Sequence, residues 1–135
     1  MRSALTRQLF AGIFLLSPLS VLAEGAVRVL ECTIEQTCDL AASCNPDSGD
    51  ISFNMEPIKL AADGAGSYLI RYEFSGSTFQ ADMEARSFAG PFMWDIDEDR
   101  NTLLANSEYR FLWHKLSLSP VPQSDIHFLA CEFTQ

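Results

Sequence analysis

Basic residues are scarce in this chain: nine Lys and Arg stand against 18 Asp and Glu, a formal net charge of −9 at pH 7. All the acids and seven of the basic residues follow residue 23, and those seven are scattered singly: Arg28, Lys59, Arg71, Arg86, Arg100, Arg110 and Lys115. Nucleic-acid binding needs clustered Lys and Arg, and an anionic membrane surface repels an acidic protein. We therefore predict that the chain binds neither. Its charge favours solubility or a basic partner.

Long hydrophobic runs are missing beyond the first 23 residues. Arg2 and Arg7 precede an apolar run at residues 9–16, and residues 21–23 form a small-residue cleavage site, as in a secretory signal. The run is too short to span a membrane comfortably, and Pro18 follows it closely. We predict a signal peptide at residues 1–23 and a single domain at residues 24–135 that is periplasmic or secreted.

Motifs for metal binding and nucleophilic catalysis are also missing. The sequence has no C-x2-C pair, and neither His114 nor His127 has a partner at ligand spacing, which argues against zinc. It has no G-x-S-x-G run, and no cysteine is expected to be free. We therefore predict no cofactor and no metal, and a protein that binds rather than catalyses.

Four cysteines are present, and all follow the predicted signal, which indicates disulfides. Four cysteines allow three pairings. Cys38 and Cys44 enclose a short loop, whereas Cys32 and Cys131 lie in strand-like runs near the two ends of the domain. We favour the pairs Cys38–Cys44 and Cys32–Cys131, the second of which would join the first strand to the last.

The dominant pattern after the signal is an alternation of apolar and polar residues, which is typical of strands with one buried face. Turn residues separate the strands, and Ser75-Gly76 is predicted to form a tight hairpin. The pattern predicts about eight strands, near residues 27–33, 51–55, 68–74, 79–85, 92–96, 102–105, 109–118 and 126–133. The predicted fold is therefore all-β, a small antiparallel barrel or closed sandwich held by disulfides.

The segment from Asp95 to Asn101 places side-chain oxygens at alternate positions, as the start of a calcium loop does. Arg100 stands where such a loop needs Gly, and Asn106 stands where it needs a bidentate Glu. We interpret the segment as a solvated acidic turn and keep calcium binding as a hypothesis.

Aromatic residues are dense on both sides of this turn: Phe88, Phe92, Trp94, Tyr109, Phe111 and Trp113. Such rings form either a core cluster or the anchors of a binding surface. On the second interpretation, a basic protein would dock on five residues: Trp94, Asp95, Asp97, Asp99 and Trp113.

Several motifs carry a resemblance to a known group: C-x5-C-x5-C with a distant terminal Cys, and residues 53–57, 89–92, 101–104 and 112–116. Together they resemble a family of small uncharacterised exported proteins of Gram-negative bacteria, which implies no activity. The chain is also faintly similar to periplasmic inhibitors of c-type lysozyme, which are small disulfide-bonded barrels with a Ser-Gly-x-x-Tyr-like loop. Residues 107–109, Ser-Glu-Tyr, are the counterpart here, with Glu108 where Gly is expected.

The sequence thus predicts an exported, monomeric binding module of the cell envelope that acts on a basic protein partner. Two alternatives remain open. A barrel could hold a small apolar ligand in its interior, or paired carboxylates such as Asp82 with Glu84 could serve a hydrolase.

Overall fold

The computed structural model describes residues 26–134, which form nine β-strands and no helix. The predicted signal peptide at residues 1–23 lies outside the described residues. The strands are β1 (Arg28–Cys38), β2 (Cys44–Pro46), β3 (Asp50–Leu60), β4 (Gly66–Phe74), β5 (Ser77–Ala85), β6 (Phe92–Ile96), β7 (Asp99–Ala105), β8 (Arg110–Ser117) and β9 (Gln123–Thr134). Within residues 26–134, no helix could cross a membrane.

Eight of the strands form a closed antiparallel barrel. From β3 to β9 each strand pairs with the next, β1 pairs with β3, and the pairing of β1 with β9 closes the barrel. The all-β closed fold predicted from the alternation is therefore confirmed. The ninth strand, β2, pairs only with the end of β1 and was not predicted, because its three residues carry no alternating pattern.

Alternation along the strands sends apolar side chains to the barrel interior and polar ones outward. On β1, for example, Leu30 and Ile34 are buried, while Glu31 and Thr33 are exposed. The largest side chains that are fully buried are Trp113, Tyr68, Phe53, Phe92, Leu30, Met55, Ile70, Met83, Leu103 and Leu129. Large side chains of the barrel itself thus fill its interior, which does not favour the predicted alternative of an interior ligand.

Two disulfides have the predicted pairing. Cys32 and Cys131 lie directly opposite each other on β1 and β9, and Cys38 and Cys44 lie opposite each other on β1 and β2. The first therefore fastens the pair of strands that closes the barrel, and the second fastens β2 to the barrel. No free cysteine is present among the residues described.

Candidate functional site

The two tryptophans predicted as docking anchors lie inside the barrel. Trp113 is fully buried and Trp94 is 3% exposed, so neither can serve as an exposed anchor, and the core interpretation of these rings is correct. Of the other aromatic residues near the acidic turn, Phe92 and Phe111 are also buried, whereas Phe88 and Tyr109 are exposed. The buried rings stabilise the fold, since each removes a large apolar area from water.

Tyr72 joins both tryptophans into one ring cluster. Its ring centroid lies 5.8 Å from that of Trp94 and 5.6 Å from that of Trp113, and both contacts are edge-on. Trp94 Nε1 donates a hydrogen bond to the Tyr72 hydroxyl at 3.3 Å, and Trp113 Nε1 donates to Asn101 Oδ1 at 3.2 Å. Burial, with a smaller contribution from Asp99, raises the pKa of Tyr72. The polar atoms of this cluster are thus matched to one another.

The three aspartates predicted as one acidic rim separate in the structure. Asp95 points outward from β6 and accepts a hydrogen bond from Arg100 Nε at 3.2 Å. Asp97 occupies the turn between β6 and β7 with a φ of 54°, a left-handed conformation that Asp tolerates. Asp99 lies two residues before the buried Asn101 on β7, so it shares the inward face of the strand. Only Asp95 and Asp97 remain available to an external partner.

The acidic segment forms a two-residue hairpin turn, because Ile96 pairs with Asp99 across it. A calcium loop instead wraps its ligands around the ion over twelve residues. In the described chain, no group of three or more His, Cys, Asp or Glu side chains is placed to hold a metal ion. The solvated-turn interpretation of the sequence agrees with this geometry.

The end of the β4–β5 hairpin is paired with neither neighbouring strand. Pairing of β3 with β4 stops at Asn54 and Arg71, and pairing of β5 with β6 stops at Met83 and Trp94. Residues 72–82, here called the hairpin end, therefore pair only with each other in the described part of the chain. Grooves flank the hairpin end on both sides.

Ring contacts hold the hairpin end against the barrel. Phe74 lies 4.9 Å from Trp113 and 5.4 Å from His127, which belong to β8 and β9 on the opposite wall. Tyr72, on which Phe79 stacks at 5.1 Å within the hairpin end, contacts Trp94 of β6 and Trp113 of β8. Side-chain packing thus replaces the missing backbone pairing, and the grooves beside the hairpin end remain open.

The groove on the β6 side, here called the acidic cleft, has a volume of about 660 Å³. Four carboxylates line it: Asp82, Glu84, Asp95 and Asp97. Its one cationic lining residue is Arg100, which already bonds Asp95. The cleft is open to solvent and carries an excess of negative charge.

The groove on the β3 side, here called the seam groove, is larger, at about 950 Å³, and runs over the β1–β9 seam. It holds four acids and two arginines, and each arginine bonds an acid outside the groove: Arg71 bonds Glu56, and Arg110 bonds Glu35. Glu31 and Glu132 lie directly opposite each other across the seam. The formal charge of its lining residues is −2, against −3 for the acidic cleft.

His127 is the buried polar residue whose environment stands out. Thr37 donates its hydroxyl hydrogen to Asp47 Oδ2 at 3.1 Å, so the 2.8 Å contact between Thr37 and His127 Nδ1 requires Nδ1 to donate. The remaining ring nitrogen, Nε2, is buried without a hydrogen-bond partner. Burial, and then the charge of Lys115, lower the pKa of His127, which favours the neutral ring.

Carboxylate catalysis finds little support in these surroundings. A general acid needs a carboxyl whose pKa is raised, whereas the backbone N–H groups of Gly49 and Ser48 lower the pKa of Asp47. His114 shares a hydrogen bond with Ser124 on the outer face.

The sequence did not predict that Asp82 and Glu84 lie beside Asp95 and Asp97 in the acidic cleft. Their alternation on β5 was visible and placed both carboxylates on one strand face. What was not visible is the end of the β5–β6 pairing, which opens the space between Asp82 and Asp95.

Comparison with known protein families, curated sequences and solved structures found no match. The two resemblances noted in the sequence stay predictions.

Proposed function

We propose that this protein is an exported binding module of the cell envelope that holds a basic protein partner in the acidic cleft. The observation that carries the proposal is the charge of the cleft: four carboxylates face one arginine, and that arginine is already paired. A cationic surface is the complement of such a site.

The partner must offer Lys or Arg side chains to the unpaired carboxylates. Asp82 and Asp97 form no hydrogen bond or ion pair with other described side chains, so both are available to a partner. Attraction between opposite charges steers association and fixes orientation, and salt screens it when the charges are exposed. The proposal therefore requires binding that weakens with salt.

The test uses the oxidised chain without residues 1–23, immobilised and exposed to envelope and culture extracts at low salt. We expect one stoichiometric protein with a basic surface to be retained and then eluted by salt. Its affinity should fall on the order of tenfold between about 50 and about 300 mM salt. An affinity that does not change over this range would contradict the electrostatic proposal.

A further inference from the structure

The acidic cleft lies between two strand edges that lack partners. β5 is paired with β4 along its whole length, but its other edge pairs with β6 only from Met83 to Ala85. Residues 77–82 of β5 and Asp95–Ile96 of β6 therefore face each other across the cleft without pairing. Alternate residues of a strand direct both backbone N–H and C=O to the same edge, so each edge presents free donors and acceptors.

The turn of the hairpin shows which β5 residues point their backbone into the cleft. Ser75 and Gly76 form a two-residue loop, so the flanking pair Phe74 and Ser77 is a hydrogen-bonded pair. Alternation from that pair makes the pair of Arg71 with Gln80 a non-hydrogen-bonded one. The N–H of Gln80 accordingly points away from β4 and into the cleft.

Two carboxylates flank the position where the two edges separate. If the register of Met83 with Trp94 continued, Asp82 would lie directly opposite Asp95. Like charges at directly opposite positions destabilise a sheet. The pairing ends at the position where this repulsion would begin.

The apolar side chains on the inner side of the cleft are partly exposed. The inward side chains beside it, Phe79, Ala81 and Ile96, are only half-buried. The gap between β3 and β4 differs in this respect, since its inward side chains Phe53 and Tyr72 are buried. The inner side of the acidic cleft is therefore lined by side chains that are less buried than Phe53 and Tyr72.

We propose that the basic partner inserts an extended segment into the acidic cleft as an added β-strand on the free edge of β5. Alternate side chains of the segment are Lys or Arg and meet Asp82, Asp95 and Asp97, while those between them are small and apolar and face Ala81 and Ile96. The inference rests on the proposed function and adds the conformation and the residue pattern of the bound segment. The positive charge of the segment offsets the negative charge of these carboxylates.

The test uses a defined probe, the fluorescent peptide acetyl-Ala-Lys-Ala-Lys-Ala-Lys-Ala-amide. Two matched controls carry the same charges but have N-methyl groups on the alanines or on the lysines, which removes backbone donors. We expect the parent peptide to bind in fluorescence anisotropy. The methylated peptide whose N-methyl groups face β5 should bind about tenfold more weakly than the other, since only its backbone hydrogen bonds to β5 are lost.

A protein variant provides the second arm. Gln80→Pro removes the N–H that points into the cleft and leaves the β4 side intact, because proline is tolerated on an edge whose N–H faces solvent. Gln80→Ala is the matched control, since it removes the same side chain and keeps the N–H. We expect Gln80→Pro to weaken parent peptide binding about tenfold relative to Gln80→Ala.

The outcomes separate the inference from the function on which it rests. Equal binding of the parent and methylated peptides would show attraction by charge alone, which overturns strand insertion and leaves the proposed function standing. Absence of parent binding at millimolar concentration would also overturn strand insertion. The proposed function fails instead when protein capture shows no salt-sensitive basic partner.

Discussion

Among the described residues, buried side-chain polar atoms form hydrogen bonds, and His127 Nε2 is the exception. The indole N–H groups of Trp94 and Trp113 both donate hydrogen bonds, whereas His127 Nε2 is buried with none. Protonation of Nε2 would place a charge against the Trp113 ring, 4.9 Å away, near Lys115. Burial and Lys115 lower the pKa of His127, and the smaller contributions of Asp125 and Asp47 raise it.

Stability should fall as pH falls below neutral because of this residue. The pKa of His127 is lower in the folded state than in the unfolded chain, where it is about 6.5, so the unfolded chain binds more protons in this window. The loss is at most about 1.4 kcal/mol per pH unit for one proton. Urea unfolding between about pH 7.5 and about pH 5 measures it.

His127→Gln should flatten this pH dependence, whereas His114→Gln should retain it. The comparison uses the slope of unfolding free energy against pH, so a general loss of stability in either variant does not obscure the result. A slope that persists unchanged in His127→Gln would show that other groups cause it.

At the scale of elements, the interrupted β5–β6 pair is expected to cost stability. Asp82→Asn removes the like charge that would face Asp95 in a continued register. We expect the unfolding free energy to rise by about 0.5 kcal/mol. Asp125→Asn is the matched control, because Asp125 lies opposite Lys115 and its charge has a favourable neighbour. Urea unfolding of both variants at neutral pH tests this, and equal changes would contradict it.

The two disulfides should differ in their effect, because they close loops of different length. Their sequence separations are 99 and 6 residues. The loop-entropy relation gives about 4.7 kcal/mol for the long loop and about 2.4 kcal/mol for the short one. Replacing Cys32 and Cys131 by Ala should therefore destabilise the barrel about twice as much as replacing Cys38 and Cys44. Thermal unfolding of the two double variants compares them, and equal losses would contradict the relation.

The alternation of apolar and polar residues predicted the positions of most strands. It did not show which side of a strand faces the interior where consecutive residues are all apolar. On β6, Phe92, Met93 and Trp94 are all apolar, so alternation does not show which side of the strand is inside. The interruptions beside the hairpin end depend on cross-strand neighbours such as Asp82 and Asp95. A single sequence does not provide that register, and for this reason Asp95 and Asp97 were predicted without Asp82.

The composition gives the net charge of the whole molecule, but it does not show where the charged side chains lie on the surface. The arginines are largely engaged with carboxylates at the surface: Arg71 with Glu56, Arg100 with Asp95, and Arg110 with Glu35. Such exposed pairs contribute little to stability. Their effect is to leave other acids, including Asp82 and Asp97 of the acidic cleft, without a paired arginine.

The most direct test of the central claim is the affinity of the captured partner for two double variants, each of which removes two negative charges from the protein. Asp82→Asn with Asp97→Asn neutralises two acids of the acidic cleft, and Glu108→Gln with Asp125→Asn neutralises two acids outside both grooves. Surface plasmon resonance at low salt should give a Kd at least about tenfold weaker for the cleft variant and little change for the control. Equal weakening in both variants would mean that net charge, and not the acidic cleft, holds the partner.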